Sequence, residues 1–211
     1  MIAPTLIESA LRAWRPALVV RPSDAVYHLV IGAPRSLAAA LPDAVKPFVL
    51  VGLDLLEKQA GRTSTTTATP LDPIVTLSPD AVADPITEAC TLAHEWCHVN
   101  QIARNGRVQA TADYTDGELR AQREADAAAA GLCLRYWLTG ELPNEAPALS
   151  DLYLLGAGAA ATARGILASH LASIRDGACP PIDVCVRLAQ WLHATPHAPD
   201  EVRARVPRVP T

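Results

Sequence analysis

Two histidines four residues apart, His94 and His98, stand in the run His94-Glu95-Trp96-Cys97-His98 with a glutamate directly after the first. On a helix, residues i and i+4 project about 40° apart, so both imidazoles can reach one ion of the size and geometry of Zn²⁺. Glu95 lies about 100° round the helix from His94, placed to touch a water on the ion without being a ligand. The chemistry that such a trio supports is hydrolysis by an activated water. The competing reading of the histidines is a pair of hydrogen-bonded core residues.

A catalytic zinc takes three protein ligands and leaves one position open. A third histidine six residues beyond His98 is absent: the position is Arg104, and no histidine occurs before His170. The third ligand is therefore expected from a carboxylate on the next long helix, where Asp116, Glu118, Glu124 and Asp126 are available.

The elements that must position these groups can be read from local signals. Asp84 offers an N-cap and Pro85 stands at the first helical position, where its missing N–H costs nothing. A helix is expected from Pro85 to about Arg104, ending at Gly106, with the histidines in its second half. Just before it, Pro73-Ile74-Val75-Thr76-Leu77-Ser78-Pro79 reads as a short strand, expected to be the edge on which an extended peptide pairs. Thr115-Asp116-Gly117-Glu118 has a capping-box pattern, opening a helix over about 116–138 that Thr139-Gly140 closes.

Further helices are expected over 5–14, over 150–175 (Ala/Leu/Gly-rich and buried on more than one face) and over 181–194. A strand is expected over 25–31, a helical turn or two over 35–41 and a largely helical stretch over 43–61. Thr63 to Pro73 reads as a polar loop. From Pro196 the chain is proline-rich and carries Arg203, Arg205 and Arg208, an extended tail to drape over the domain or a protein partner.

The ordered pair of motifs, His94-Glu95-Trp96-Cys97-His98-Val99-Asn100-Gln101 followed by Arg123-Glu124-Ala125-Asp126-Ala127-Ala128, resembles the gluzincin metallopeptidases. The nearest resemblance is to small bacterial and phage-encoded members with HExxHxxQ and a later E-A-D or E-A-N, and it covers roughly residues 73–138. It implies a zincin-like active-site helix, zinc as cofactor, a peptide or protein substrate, and Glu124 as third ligand. Glu95 would take a proton from water and pass it to the leaving amine. Tyr114, Tyr153 and His170 are the candidate donors to the oxyanion. Gln101 is expected to bond behind the metal ligands and Trp96 to pack.

Residue chemistry bears on Glu124 separately. Glu124, Ala127, Ala128 and Gly131 form one stripe of small residues around a carboxylate, and such a face lets two helices approach closely. The competing reading is a solvated glutamate paired with Arg120 or Arg123. One departure from the resemblance is plain. Many gluzincins carry an aspartate one turn beyond the ligand, whereas here that position is Ala128. Asp126 lies about 200° round the helix from Glu124, so the two cannot share the metal. Glu118, on the Gln122–Asp126 face, is the rival ligand, and Asp126 is left to bind an arginine or cap a loop.

The chain's 211 residues suffice for one α+β, mainly helical domain, expected over 1–195 with the metal-site core at about 73–138 and the tail at 196–211. Half the residues are hydrophobic but only 4% are aromatic, so Ala, Leu and Val must build the core. A net charge of −4 recommends neither nucleic acid nor an anionic membrane as partner. Glu8, Arg12 and Arg15 interrupt any signal-peptide core, and no apolar run reaches the ~18 residues of a membrane span. Five irregularly spaced cysteines suit a reduced cytoplasm; Cys179 and Cys185 are the pair near enough in sequence to bridge. The expected activity is zinc-dependent peptide hydrolysis in the cytoplasm. Its alternative is a non-catalytic structural or binding protein, a phage or secretion-particle component, with a stabilising or vestigial metal site.

Overall fold

A computed structural model of the chain describes residues 2–24, 64–67, 72–106, 108–109, 116–147, 149 and 155–210. The readings over 25–31, 35–41 and 43–61 fall outside them, as do Tyr114 and Tyr153. The described part is mainly helical with a small sheet. In chain order it runs α1 (Pro4–Trp14), β1 (Leu18–Val20), β2 (Thr65–Thr67), β3 (Ile74–Thr76), α2 (Pro85–Asn105), α3 (Gly117–Thr139), α4 (Ala157–Arg175), α5 (Asp183–Ala194) and α6 (Asp200–Arg205).

The two long central helices follow their local signals. The Asp84 carboxylate accepts from the backbone N–H of Ile86 and Thr87, at 2.9 and 3.0 Å, and Gly106 takes a positive φ of 78° at the other end of α2. Asp116 caps α3 by accepting from Glu118 and Leu119, so the cap is the aspartate rather than the threonine before it. Gly140 closes α3 in the left-handed region at φ 80°.

α2 and α3 pack against one another, and α4 covers α3 on another side. The α2 residues from Leu92 to Asn100 are buried on nearly every face except at His94, so the helix is an interior element rather than a surface one. Trp96 is fully buried, and its indole N–H donates to the Arg15 carbonyl at 3.0 Å, holding the end of α1 against α2. A second tie is ionic: Glu8 of α1 and Glu88 of α2 both pair with Arg21, just beyond β1.

The sheet order is β1-β3-β2, with β3 parallel to β1 and antiparallel to β2. The expected edge position of the 73–79 strand is therefore overturned: β3 is central. β2 lies in the threonine stretch expected to be a loop. Its residues are β-branched and suit a pleated surface, but the partner that makes them a strand lies on β3, with Thr66 opposite Val75.

Two other expectations change. α4 buries one stripe, Ala163, Leu167, Leu171 and Ile174, not several faces. Its other faces, with Arg164 and Arg175 among them, are exposed or half-buried. The tail is not simply extended: α6 forms within it and buries Val202, with Val206 following. Arg205 donates to the Trp137 and Leu138 carbonyls at the end of α3, and His193 Nε2 lies 3.0 Å from the Val206 carbonyl. All five cysteines are free thiols. No helix among the described residues is long and apolar enough to cross a membrane.

Candidate metal centre

His94 and His98 project from one side of α2, their rings 5.1 Å apart at 73°. Glu124 reaches them from α3. Its Oε2 lies 3.8 Å from His94 Nε2 and 3.5 Å from His98 Nε2. The ligand atoms of the three residues fall within 4.8 Å of one another. Two carboxylate–imidazole contacts of this length exceed a charge-assisted hydrogen bond of about 2.7–2.9 Å. A tetrahedral ion at about 2.0–2.2 Å from each ligand sets neighbouring ligand atoms about 3.4 Å apart. The spacing thus fits a shared cation better than direct bonding.

The small-residue stripe supplies the reach. A Cβ built on Gly131 would stand 3.0 Å from the Cys90 carbonyl oxygen and 3.8 Å from the His94 Cβ, so the α2 and α3 backbones meet almost in contact. About two turns before Gly131 on the same helix, a side chain as short as glutamate spans the remaining gap. Ala127 is fully buried in the same stripe. Glu124 is not the solvated charge of the competing reading: its side chain is 5% exposed.

Electrostatics suits the donor set. Burial drives His94 down to about 4, so this imidazole is neutral at pH 7, the form in which a histidine ligates a metal. Burial also opposes a charge on His98, but the Glu124 carboxylate beside it wins and raises it to about 9. His98 therefore carries its proton at neutral pH beside the Glu124 carboxylate. Gln101 Oε1 lies 2.9 Å from His98 Nδ1 and fixes that ring.

Glu95 is buried at 2% exposure on the adjoining face of α2. Burial raises its carboxyl to about 7, against the lowering effects of His98 and of the Thr66 hydroxyl. Thr66 Oγ1 donates to Glu95 Oε2 at 2.7 Å. Nothing in the local sequence announces this residue; it arrives through the β2–β3 register.

The remaining candidates fall elsewhere. Glu118 is exposed in the first turn of α3 and outside the ligand group. Asp116 is spent as the helix cap. Among the described residues Asp126 pairs with neither an arginine nor a loop: its Oδ1 lies 2.9 Å from His170 Nε2 on α4. That pairing engages one of the proposed oxyanion donors on the side of α3 away from Glu124. Cys97 is buried with its thiol toward the Asp126 carbonyl, and burial pushes it well above its usual range, as expected of a core residue.

A cavity of about 380 Å³ opens beside His94 and Glu95, between Thr91 and Cys90 of α2 and Ala128, Gly131, Leu132 and Arg135 of α3. A groove of about 480 Å³ between α1 and α5, lined by Trp14 and Trp191, contains none of the ligand residues. The smaller cavity is the one with chemistry at its wall. No protein family, curated protein or solved structure matches this chain, so the functional reading rests on the site.

Proposed function

We propose that this protein is a zinc-dependent peptidase of gluzincin type, with His94, His98 and Glu124 as the metal ligands and Glu95 as the general base. The observation that carries the reading is the convergence of two histidines from α2 and a buried glutamate from α3, beside a cavity that Glu95 also lines. Zinc bound by these three side chains supplies Lewis-acid chemistry, bringing the pKa of a water towards ~7 and polarising a carbonyl.

The chain's own groups do the rest. The His94–Glu95–His98 spacing on one helix sets the base at a fixed angle to both imidazoles. Glu95 takes a proton from the attacking water and delivers it to the leaving amine nitrogen, so the peptide bond breaks with no net change in its protonation. Low exposure keeps bulk water from competing for that carboxylate. The cavity between α2 and α3 gives a side chain of the peptide substrate a place to sit.

Metal analysis and peptide hydrolysis test this together. Purified protein should carry about one zinc, Glu124→Ala should lose it, and Glu118→Ala should keep it. Glu95→Gln should retain the metal while hydrolysis of a broad peptide library falls by roughly 10²–10⁴. A zinc-loaded wild type that cleaves no peptide would leave the site a stabilising one and refute the peptidase assignment.

A further inference from the structure

We infer that Thr66 is a positioning residue for Glu95: its hydroxyl holds one carboxylate oxygen so that the other is presented to the substrate water. This rests on the peptidase reading above and adds a residue from outside the two-helix motif. Thr66 lies at the middle of β2, in antiparallel register with Val75 of β3. Cross-strand partners project to the same face of a sheet, and Val75 is fully buried. Thr66 therefore points inward, while its neighbour Thr65 is exposed.

The inward hydroxyl meets Glu95 twice. It lies 2.7 Å from Oε2 and 3.2 Å from the Glu95 backbone carbonyl. A hydroxyl has one proton to give, and the shorter contact, to a carboxylate, takes it. Glutamate has three side-chain torsions, and its terminal one is broad. A carboxylate on a helix fixed only through its backbone would spread over that range. One bond from a separate element, the sheet, removes the freedom. The carboxylate is then held against α2 by β2, just as the imidazole of His98 is held by Gln101.

Threonine suits both tasks. Its branched Cβ fits the strand, and valine has the same shape without the hydroxyl, so Thr66→Val removes the bond and leaves the strand. Thr66→Ser keeps the hydroxyl, and Thr65→Val is the control on the outer face.

The test uses two readouts on the full chain. In the first, the cobalt(II)-loaded protein is titrated with acetohydroxamate and followed by its visible absorption. The hydroxamate hydroxyl gives its proton to Glu95, so binding reports the placement of that carboxylate without turnover. Thr66→Val should weaken binding about tenfold with metal content unchanged, Thr66→Ser should restore it, and Thr65→Val should match wild type. In the second, Thr66→Val should lower kcat for a peptide roughly 10- to 100-fold, the range expected for one hydrogen bond to a charged group, and shift KM by less than about twofold.

The two levels of the argument fail differently. If Glu95→Gln weakens hydroxamate and stops hydrolysis while Thr66→Val changes neither, the positioning role is overturned and the peptidase reading stands. If Glu95→Gln changes neither, the assignment of the base falls and Thr66 with it. A Thr66→Val protein that loses metal or thermal stability, and is not rescued by serine, would overturn the inference in favour of a packing role.

Discussion

Replacing Gly131 by alanine tests the close approach on which the proposed metal centre depends. In an exposed helix interior, Gly→Ala gains about 1 kcal/mol from propensity. Gly165, in α4, has open space where a Cβ would be placed, so Gly165→Ala should realise most of that gain. At Gly131 the new methyl would stand 3.0 Å from the Cys90 carbonyl oxygen, some tenths of an ångström inside ordinary contact. The obstacle is backbone, which cannot swing aside as a side chain would, so α2 and α3 must part. Overpacking of this kind costs about 1–3 kcal/mol. Set against the same propensity gain, the net is a loss of up to about 2 kcal/mol. For a domain of this size that lowers Tm by up to roughly 8 °C.

The metal should feel the change more than the fold. Glu124 comes from one helix and both histidines from the other, and ligand distances tolerate only about ±0.2 Å. A parting of a few tenths should therefore cut zinc affinity about tenfold or more. Urea unfolding of the metal-free proteins, with zinc competition against a chromophoric chelator, reads both quantities. If Gly131→Ala were as stabilising as Gly165→Ala and bound zinc like wild type, the backbone contact between α2 and α3 would be refuted.

Zinc uptake should release about one proton per ion near neutral pH. The His98 proton leaves only around pH 9 in the metal-free protein, while His94 is already neutral above about 4. Affinity should accordingly rise about tenfold per pH unit through neutrality and level off near 9. Calorimetry in buffers of different ionisation enthalpy counts the proton, and an affinity flat with pH would contradict the assignment. Asp126→Asn should keep zinc affinity within the roughly tenfold range lost when a ligand's supporting partner is removed, because Asp126 serves His170 on α4. A loss as large as that of Glu124→Ala would place Asp126 at the metal instead. Burial raises the Cys90 and Cys179 thiols to about 12. At about pH 8 their thiolate fraction is roughly 10³-fold below that of an ordinary cysteine. Iodoacetamide should therefore label the native protein at those sites only slowly, and mass spectrometry showing rapid stoichiometric modification of either would disprove the burial.

What was legible in the sequence is what is decided within a few residues. Asp84 with Pro85, and the glycines at 106 and 140, mark helix ends because capping is a contact of two or three residues' span. The histidine spacing needs only a helix to bring both imidazoles to one side. Glu124 was reachable because alanines and a glycine at helical spacing state how near a neighbour can come. The threonine stretch was opaque for the opposite reason: three β-branched residues become a strand only when β3 is beside them. The central place of β3 depends likewise on β1, which lies 56 residues earlier by the register of Leu18 with Ile74. The bonds from Thr66 to Glu95 and from Asp126 to His170 span 29 and 44 residues and carry no local pattern.

The contact of Arg205 with the end of α3 has a consequence for the order in which the molecule can be assembled. Its guanidinium donates to carbonyls 67 and 68 residues earlier and packs against Gly140. These carbonyls belong to a last helical turn, whose acceptors have no partner within the helix. During synthesis those carbonyls have only water as a partner until residue 205 is made, so the last turn of the helix that carries Glu124 gains this support late. The basic stretch that resembles an appendage in sequence is, in this respect, a closing step of the interior, and truncating it should be felt first at α3.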